Sequence, residues 1–357
     1  HNVNAGFDFY ADDFNSFTFS VQYRNMLFGS EGDILSTTYN ADGSLTRSFN
    51  RFSNSEREIQ SFTYNASYKR LFEKKGRELT VDFMVNDNSM GGSQDIRQEE
   101  FTSGMPQMDP VLQLSGSDNT NRMYMLQANY TTPAGKGGRI ETGFKGTVKD
   151  LQMRNFLKDY VYESESWEVN PLANNFFDYS EQIYAVYGIY SSSYKKLKYQ
   201  AGLRVEQLLS DSELELTSEK FSRSYPSLYP SVHLQYEKNE KSQFQLSYSR
   251  RVSRPSHRQL NPFVDYSDSL NIRYGNPKLD PEFINSYELG WLYFTKKGSL
   301  NATAFYRHTT GIIERITELR EGGITAGTFE NLGSASNLGI EMIVNGDINK
   351  WLKANAN

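Results

Sequence analysis

Histidine and cysteine, the residues that most often supply metal-binding and nucleophilic chemistry, are scarce in this chain. There is no cysteine, which excludes disulfide frameworks, thiolate zinc sites, iron–sulfur clusters and cysteine nucleophiles. The four histidines are His1, His233, His257 and His308, and no two of them have the spacing of metal ligands. We therefore predict that none is a metal ligand or catalytic base, that the chain is not an enzyme, and that it holds no cofactor.

Two groups of oxygen-bearing side chains have the composition of a loop calcium site. The groups are Asn86, Asp87 and Asn88 with Asp95, and Asp265 with Asp268. Neither has the glycine and glutamate of an EF-hand, so solvated loop carboxylates are the simpler interpretation. The turn Gly135-Lys136-Gly137-Gly138 lacks the Ser or Thr and the helix that follow a phosphate-binding loop. For an enzyme, His308 beside strand carboxylates is the one candidate pair.

Basic side chains cluster in one segment, at Arg250, Arg251, Arg254, Arg258 and Arg273. At the mouth of a channel they would attract an anionic nutrient or the phosphates of an outer-leaflet lipid. They would equally pair with nearby carboxylates, namely Asp265, Asp268, Asp280 and Glu282. Both interpretations stay open, and neither identifies a ligand.

The composition is polar yet rich in aromatic residues. Of 357 residues, 14% are aromatic, the net charge is −5, and the mean hydropathy is −0.66. A net negative charge disfavours nucleic acid as a partner. No window approaches about 18 consecutive apolar residues, which excludes a transmembrane helix but leaves transmembrane β-strands open.

Alternation of apolar and polar residues is the dominant pattern. In residues 16–24, Phe17, Phe19, Val21 and Tyr23 fall on one face and polar residues on the other. The same alternation recurs in seven further segments, so we predict an all-β chain built of an antiparallel sheet whose two faces meet different environments. Many tyrosines lie near the predicted strand ends, as the aromatic girdles of membrane barrels require.

The connections alternate between short and long, which is the layout of an outer-membrane barrel. Short polar turns are predicted near residues 11–15, 72–76, 133–138, 195–198, 238–242, 295–299 and 346–350, and long loops at 26–56, 88–120, 150–180, 209–227, 252–285 and 316–330. Two strands per turn give about 14 transmembrane strands, each of about 9 to 12 residues. A soluble sandwich would rarely place its long loops on every second connection, and a propeller would repeat a sequence motif.

Residues 247–290 contain the most specific motif. A strand ending Tyr248-Ser249-Arg250-Arg251 is followed by Arg254-Pro255, by Leu260-Asn261-Pro262-Phe263, by Gly275-Asn276-Pro277-Lys278-Leu279-Asp280-Pro281-Glu282 and by Glu288-Leu289-Gly290. This segment closely resembles the barrel of TonB-dependent outer-membrane receptors, especially those of Bacteroidota. The family-signature residues are Arg251, Arg254, Pro255, Asn261, Pro262, Gly275, Asn276, Pro277, Pro281, Glu282 and Glu288, and we interpret them as structural.

The prolines of the segment remove backbone donors, so the chain is expected to leave the sheet after Arg251 and to re-enter it near Ser286. Glu282 is expected to accept hydrogen bonds from a basic neighbour such as Arg254. These residues identify the family and leave the ligand-binding residues unknown.

The resemblance implies a 22-stranded barrel in the outer membrane of a Gram-negative cell, closed by a plug and energised through TonB. It implies uptake of a scarce nutrient through long extracellular loops, with membrane lipids and TonB as partners and a surface lipoprotein as a possible one. Residues 1–357 are then part of one barrel domain, with the plug and both barrel ends outside the chain. The alternatives are a passive porin with a constriction loop in its lumen, and a soluble β-rich binding module.

Overall fold

A computed structural model describes residues 1–102, 105–106, 109–171, 174–215, 217–264, 271–347, 349 and 351–356. In these residues nearly every segment is a β-strand, and the helices are limited to α1 (His257–Leu260) and one 3-10 turn (Glu321–Gly323). No helix in the described part of the chain is long and apolar enough to cross a membrane.

The strands of the described residues form one sheet. They are β1 (Asn2–Tyr10), β2 (Asn15–Tyr39), β3 (Leu45–Leu71), β4 (Glu78–Thr102), β5 (Met105–Pro106), β6 (Val111–Ala134), β7 (Gly138–Val161), β8 (Ser166–Val169), β9 (Asn175–Tyr194), β10 (Leu197–Leu214), β11 (Glu219–Asn239), β12 (Ser242–Ser253), β13 (Asn271–Arg273), β14 (Glu282–Thr295), β15 (Gly298–Leu319), β16 (Thr325–Asp347) and β17 (Lys353–Ala356).

Fourteen of these strands follow one another across the sheet in chain order, each antiparallel to the next, which confirms the predicted fold class and strand number. The short strands β5, β8 and β13 are additions beside them. Among the described residues β1 pairs only with β2 and β17 only with β16, so the sheet is open at both edges.

The two faces of the sheet differ as the alternation predicted. On the apolar face, Tyr248, Tyr287 and Tyr306 stand side by side on β12, β14 and β15, with ring centroids 4.9 and 6.2 Å apart. Leu289, on the same face, is 58% exposed. An exposed apolar surface this extensive needs an apolar environment, since removing one such side chain from water is worth about 1.5–3 kcal/mol. The other face, here the polar face, carries residues such as Glu206, His233 and Glu288.

The predicted short turns are confirmed at one end of the sheet, except that residues 348 and 350 of the last turn lie outside the described residues. The first turn is closed by Asp12, whose Oδ1 accepts the backbone N–H groups of Phe14 and Asn15 at 2.8 and 2.7 Å. In the turn between β3 and β4, Gly76 has a φ of 82°, a conformation that glycine adopts without strain.

Most of the predicted long loops are wrong, because the strands continue through them. The strands β2 and β3 contain 25 and 27 residues and stay paired up to a tip at residues 40–44, inside the loop predicted at 26–56. Hairpins also occupy most of 88–120, 150–180, 209–227 and 316–330. The alternation disappears there because polar and apolar residues occur on both faces of these extensions, while the backbone pairing does not depend on a difference between the faces. The segment at 252–285 remains a long connection.

Candidate functional site: a loop on the polar face

The connection between β12 and β14 folds back over the polar face in its described residues, 254–264 and 271–281; we call these residues the polar-face loop. The strands leave the ladder later and re-enter it earlier than predicted, because Ser253 still pairs with Glu282. After Arg254-Pro255 the chain forms α1, whose first turn is fixed by a capping box. Gln259 Oε1 accepts the N–H of Ser256 at 2.8 Å, and the Ser256 hydroxyl accepts the N–H of Gln259 at 3.4 Å.

Two leucines anchor the polar-face loop to the sheet. Leu260 and Leu279 are 8% and 0% exposed. They belong to one buried cluster with strand residues Leu151, Phe177, Tyr179 and Leu214, and Met153, Phe263, Ile313 and Phe329 pack around it. Burial of each leucine favours the docked loop by about 1.5–3 kcal/mol. The sheet therefore supplies an apolar patch on its otherwise polar face where the loop lies.

The second half of the loop is bonded to β16. The strand β13 pairs in parallel with residues 325–327, and the N–H of Tyr274 donates to the carbonyl of Gly327 at 3.0 Å. The Asn276 amide donates to the carbonyl of Phe329 at 3.0 Å. The loop thus reaches from β7, β9 and β10 on one side to β16 on the other.

A buried ion cluster fixes the start of the loop. Glu206 on β10 is 8% exposed in its side chain and lies between two arginines. Its Oε1 accepts from Arg204 Nε at 2.5 Å, and its Oε2 accepts from Arg254 Nη2. The phenols of Tyr225 and Tyr229 lie within electrostatic range of the same Arg254 guanidinium.

The expected pairing of Arg254 with Glu282 is therefore wrong. Arg254 pairs with Glu206, whereas Glu282 Oε1 accepts the backbone N–H of Ile313 at 2.8 Å. The cause is the direction of each side chain: Arg254 points over the polar face toward β10, and Glu282 points toward the neighbouring strand β15. The sequence showed Glu206 only as one polar residue in an alternating strand.

Three signature residues meet inside the loop. The N–H of Gly275 donates to the carbonyl of Asn261 at 2.7 Å, and the N–H of Asn276 donates to that of Gln259 at 2.6 Å. A Cβ on Gly275 would lie 2.5 Å from both carbonyl oxygens, so only glycine allows this approach. The Asn261 side chain, which is buried, accepts from the N–H of Phe263 at 3.1 Å. This contact network joins the two halves of the loop.

The other signature residues lie apart from this network. Pro281 is buried and Pro255, Pro262 and Pro277 are half-buried along the loop, while Arg251 is exposed on β12 opposite Ile284. Glu288 lies on the polar face, where its Oε1 accepts from the Ser286 hydroxyl at 3.1 Å and is 4.0 Å from Arg307 Nη2. Their structural role stays a prediction.

The remaining basic residues have mixed surroundings. The Arg250 guanidinium lies 4.8 Å from the ring centroid of Phe283, and Arg223, which the sequence did not single out, pairs with Asp280 at 3.0 Å. Asp265 and Asp268 lie outside the described residues. On the polar face, Lys145 and Lys149 of β7 are half-buried and form no ion pair within the described residues.

Burial and two nearby positive charges lower the pKa of His257 in α1. Burial is the largest cause that lowers the pKa of His257, and the charges of Lys149 and Arg258 lower it further. The imidazole is therefore neutral around pH 7, which suits a partly buried group near two cations.

The candidate calcium and enzymatic residues have other partners. Asp87 pairs with Arg122 at 3.0 Å, and the Asn86 amide donates to Thr63 at 2.7 Å. The His308 Nδ1 lies 3.1 Å from the hydroxyl of Ser336. Across the described ranges, no three His, Asp or Glu side chains are grouped as metal ligands would be.

A cleft of about 640 Å³ lies on the extended hairpins of β2, β3, β4 and β6. Asp33, Phe52, Arg97 and Leu112 line it in one cross-strand row, and Trp167 of β8 closes one side. The cleft combines carboxylates with an aromatic surface. No sequence pattern indicated it, because its lining residues come from four separate hairpin strands.

A family model described as the outer membrane protein beta-barrel family matches residues 70–357. Among solved structures, the copper transporter OprC superposes with a TM-score of 0.53 at 12% identity, over 99% of this chain and 59% of that one. The hemophore receptor HasR of Serratia marcescens gives 0.49 at 12% identity over 94% and 57% of the two chains. The siderophore receptor PirA from Pseudomonas aeruginosa gives 0.47 at 10% identity over 99% and 64%.

No curated protein sequence matches the chain. The chain spans less than two thirds of the length of each of these three solved structures.

Proposed function

Because the chain belongs to the outer membrane protein β-barrel family, and so to the outer membrane of a Gram-negative cell, we propose that it forms part of the barrel of a TonB-dependent receptor that takes up a scarce nutrient. Residues 1–357 are part of one barrel domain, and the plug that contacts TonB lies outside them. The tight turns face the periplasm and the extended hairpins face the exterior. The proposal assigns no catalytic step to any residue.

The observation that carries the proposal is the open sheet. Fourteen strands follow one another without β1 pairing with β17 in the described residues, which supports a barrel of more than 14 strands. Barrels of about 16 strands or more enclose a water-filled lumen, and those of about 22 strands need a plug to keep the membrane sealed.

A passive porin is the second candidate, and the polar-face loop is the observation that favours it. A loop anchored on the inner wall by Leu260 and Leu279 would narrow an open channel as a constriction does. In that case the barrel would conduct ions continuously, without a plug or an energy source.

Planar-bilayer conductance of the full-length natural protein separates the two candidates without knowledge of the nutrient. A plugged receptor is expected to give no steady ionic current, and current should appear after urea in the bathing solution unfolds the plug. A stable current from the untreated protein would exclude the receptor and support the porin. Recovery of the protein from the soluble fraction would contradict both.

A further inference from the structure

Two buried polar atoms at the start of the polar-face loop have no hydrogen-bond partner within the described residues. They are the Nε of Arg254 and the hydroxyl oxygen of Tyr229. Tyr229 is 8% exposed, and the side chain of Arg254 is 23% exposed. Buried polar groups are nearly always bonded, and Tyr229 lies within electrostatic range of Arg254, so two such unpartnered atoms indicate that a further group binds here.

The net charge of Glu206 and its two arginine partners indicates which kind of group is bound there. Glu206 already bonds one arginine through each carboxylate oxygen, to Arg204 on one side and Arg254 on the other. Two guanidinium groups, whose side chains are 31% and 23% exposed, share one carboxylate, which leaves one positive charge of this partly buried cluster uncompensated. Burial of an uncompensated charge is unfavourable unless an opposite charge is close by.

Both unpartnered groups can act as hydrogen-bond donors. The Arg254 Nε can only donate, and the Tyr229 hydroxyl can donate to the same acceptor. The two groups are close enough to interact electrostatically. A water molecule would satisfy both donors but would leave the positive charge in place, whereas an anion satisfies the donors and the charge together.

We propose that Arg254 and Tyr229 form a binding site for one small anion, of the class of a halide or a small carboxylate, on the polar face of the sheet. The anion links the first residue of the polar-face loop to β11 and strengthens its attachment to β10 through Arg254. The site depends on these residues alone, and it would exist in a receptor and in a porin alike.

Anomalous diffraction from crystals of the full-length protein grown in sodium bromide tests the site directly. We expect a bromide peak within hydrogen-bonding distance of Arg254 Nε and Tyr229 Oη. Density for a water without an anomalous signal, or for an acidic side chain from another part of the protein, would overturn the proposal.

Two matched variants make the test specific. Tyr229→Phe removes the orphan hydroxyl and is expected to abolish the peak. Tyr179→Phe removes the hydroxyl of another tyrosine that is 8% exposed, one that already donates to Glu181 at 2.9 Å, and should keep the peak. A peak that survives in Tyr229→Phe would contradict the assignment.

Thermal unfolding in detergent gives a second readout. Gluconate is too large for a buried site, so it serves as the reference anion. When chloride replaces gluconate at constant ionic strength, the melting temperature should rise by about 1–4 °C. This rise is expected for a ligand that binds only the folded state. The rise should be absent in Tyr229→Phe and present in Tyr179→Phe. An equal rise in both variants would be a general salt effect and would overturn the proposal.

Discussion

Asn331 of β16 and Asp280 of the polar-face loop bind each other reciprocally: Asn331 Oδ1 accepts the N–H of Asp280 at 2.8 Å, and Asn331 Nδ2 donates to the Asp280 carbonyl at 2.9 Å. The same Nδ2 also donates to the carbonyl of Gly311 at 2.7 Å. One side chain thus joins the backbone at the end of the loop to two strands, and these three hydrogen bonds do not involve any loop side chain.

Replacement of Asn331 should therefore free the end of the loop. Asn331→Ala removes both contacts to Asp280, and the free energy of local opening should fall by about 1–3 kcal/mol. Hydrogen exchange of residues 271–281 measures this change. Asn337→Ala, at an exposed position on the same strand, is the control and should leave the exchange unchanged; equal exchange in the two variants would show that Asn331 does not hold the loop.

Loss of the Glu206 carboxylate should be costly because two guanidinium groups would lose their counter-charge. Glu206→Gln is expected to lower the free energy of unfolding by about 3–5 kcal/mol, and Glu206→Gln with Arg254→Gln by less than the sum of the two single changes. Urea unfolding in lipid vesicles measures both.

The exposed pair Lys198 and Glu237, 2.6 Å apart, provides the comparison. Glu237→Gln should change the free energy of unfolding by no more than about 1 kcal/mol. Strict additivity of the Glu206 and Arg254 changes would mean that the two side chains do not interact.

Acid should loosen the loop through His257. Because the folded-state pKa of His257 is lower than its ordinary value of 6.5, the undocked form binds the proton more readily. Stability is complete above the ordinary pKa and is lost as the pH falls below it toward the folded pKa. Hydrogen exchange of 254–264 should accelerate between pH 7 and pH 5.5 after correction for intrinsic rates, and His257→Gln should remove most of this dependence. An unchanged pH profile in the variant would exclude His257 as the cause.

Gly275→Ala should disrupt the contact between the two halves of the loop. The added Cβ would meet the carbonyl oxygens of Asn261 and Gln259 at 2.5 Å, and the resulting shift should cost about 1–3 kcal/mol. Gly188→Ala is the matched control, because a Cβ there has nothing within 4 Å. Thermal unfolding of the two variants should differ clearly, and similar melting temperatures would contradict the predicted clash.

The sequence was sufficient to predict the parts of the sheet whose two faces differ. Alternation such as that of Phe17, Phe19, Val21 and Tyr23 specifies which side chains face which environment, and the turns between such strands follow. The extended hairpins were missed because polar and apolar residues occur on both of their faces, as the adjacent Leu27 and Phe28 show, so no period of two remains to detect.

The docking of the polar-face loop could not be predicted for a different reason. Leu260 and Leu279 are isolated apolar residues in a polar segment, and their partners, such as Leu151 and Phe177, lie about 100 residues earlier in the chain. Pairing Arg254 with Glu206 likewise requires knowledge of which strand lies across the polar face. Contacts between distant segments leave no local pattern in a single sequence.

The extended hairpins also determine how this protein can change in length. Beyond the Tyr23 and Phe62 pair, β2 continues to Tyr39, about 50 Å of strand at about 3.3 Å per residue. A balanced insertion near the tip at 40–44 adds one residue to each strand and leaves the register below it intact. A single residue inserted between Phe17 and Tyr23 would instead turn every following side chain to the opposite face. The outer ends of the hairpins are therefore free to lengthen or shorten over evolution, while the segments below them must keep their length.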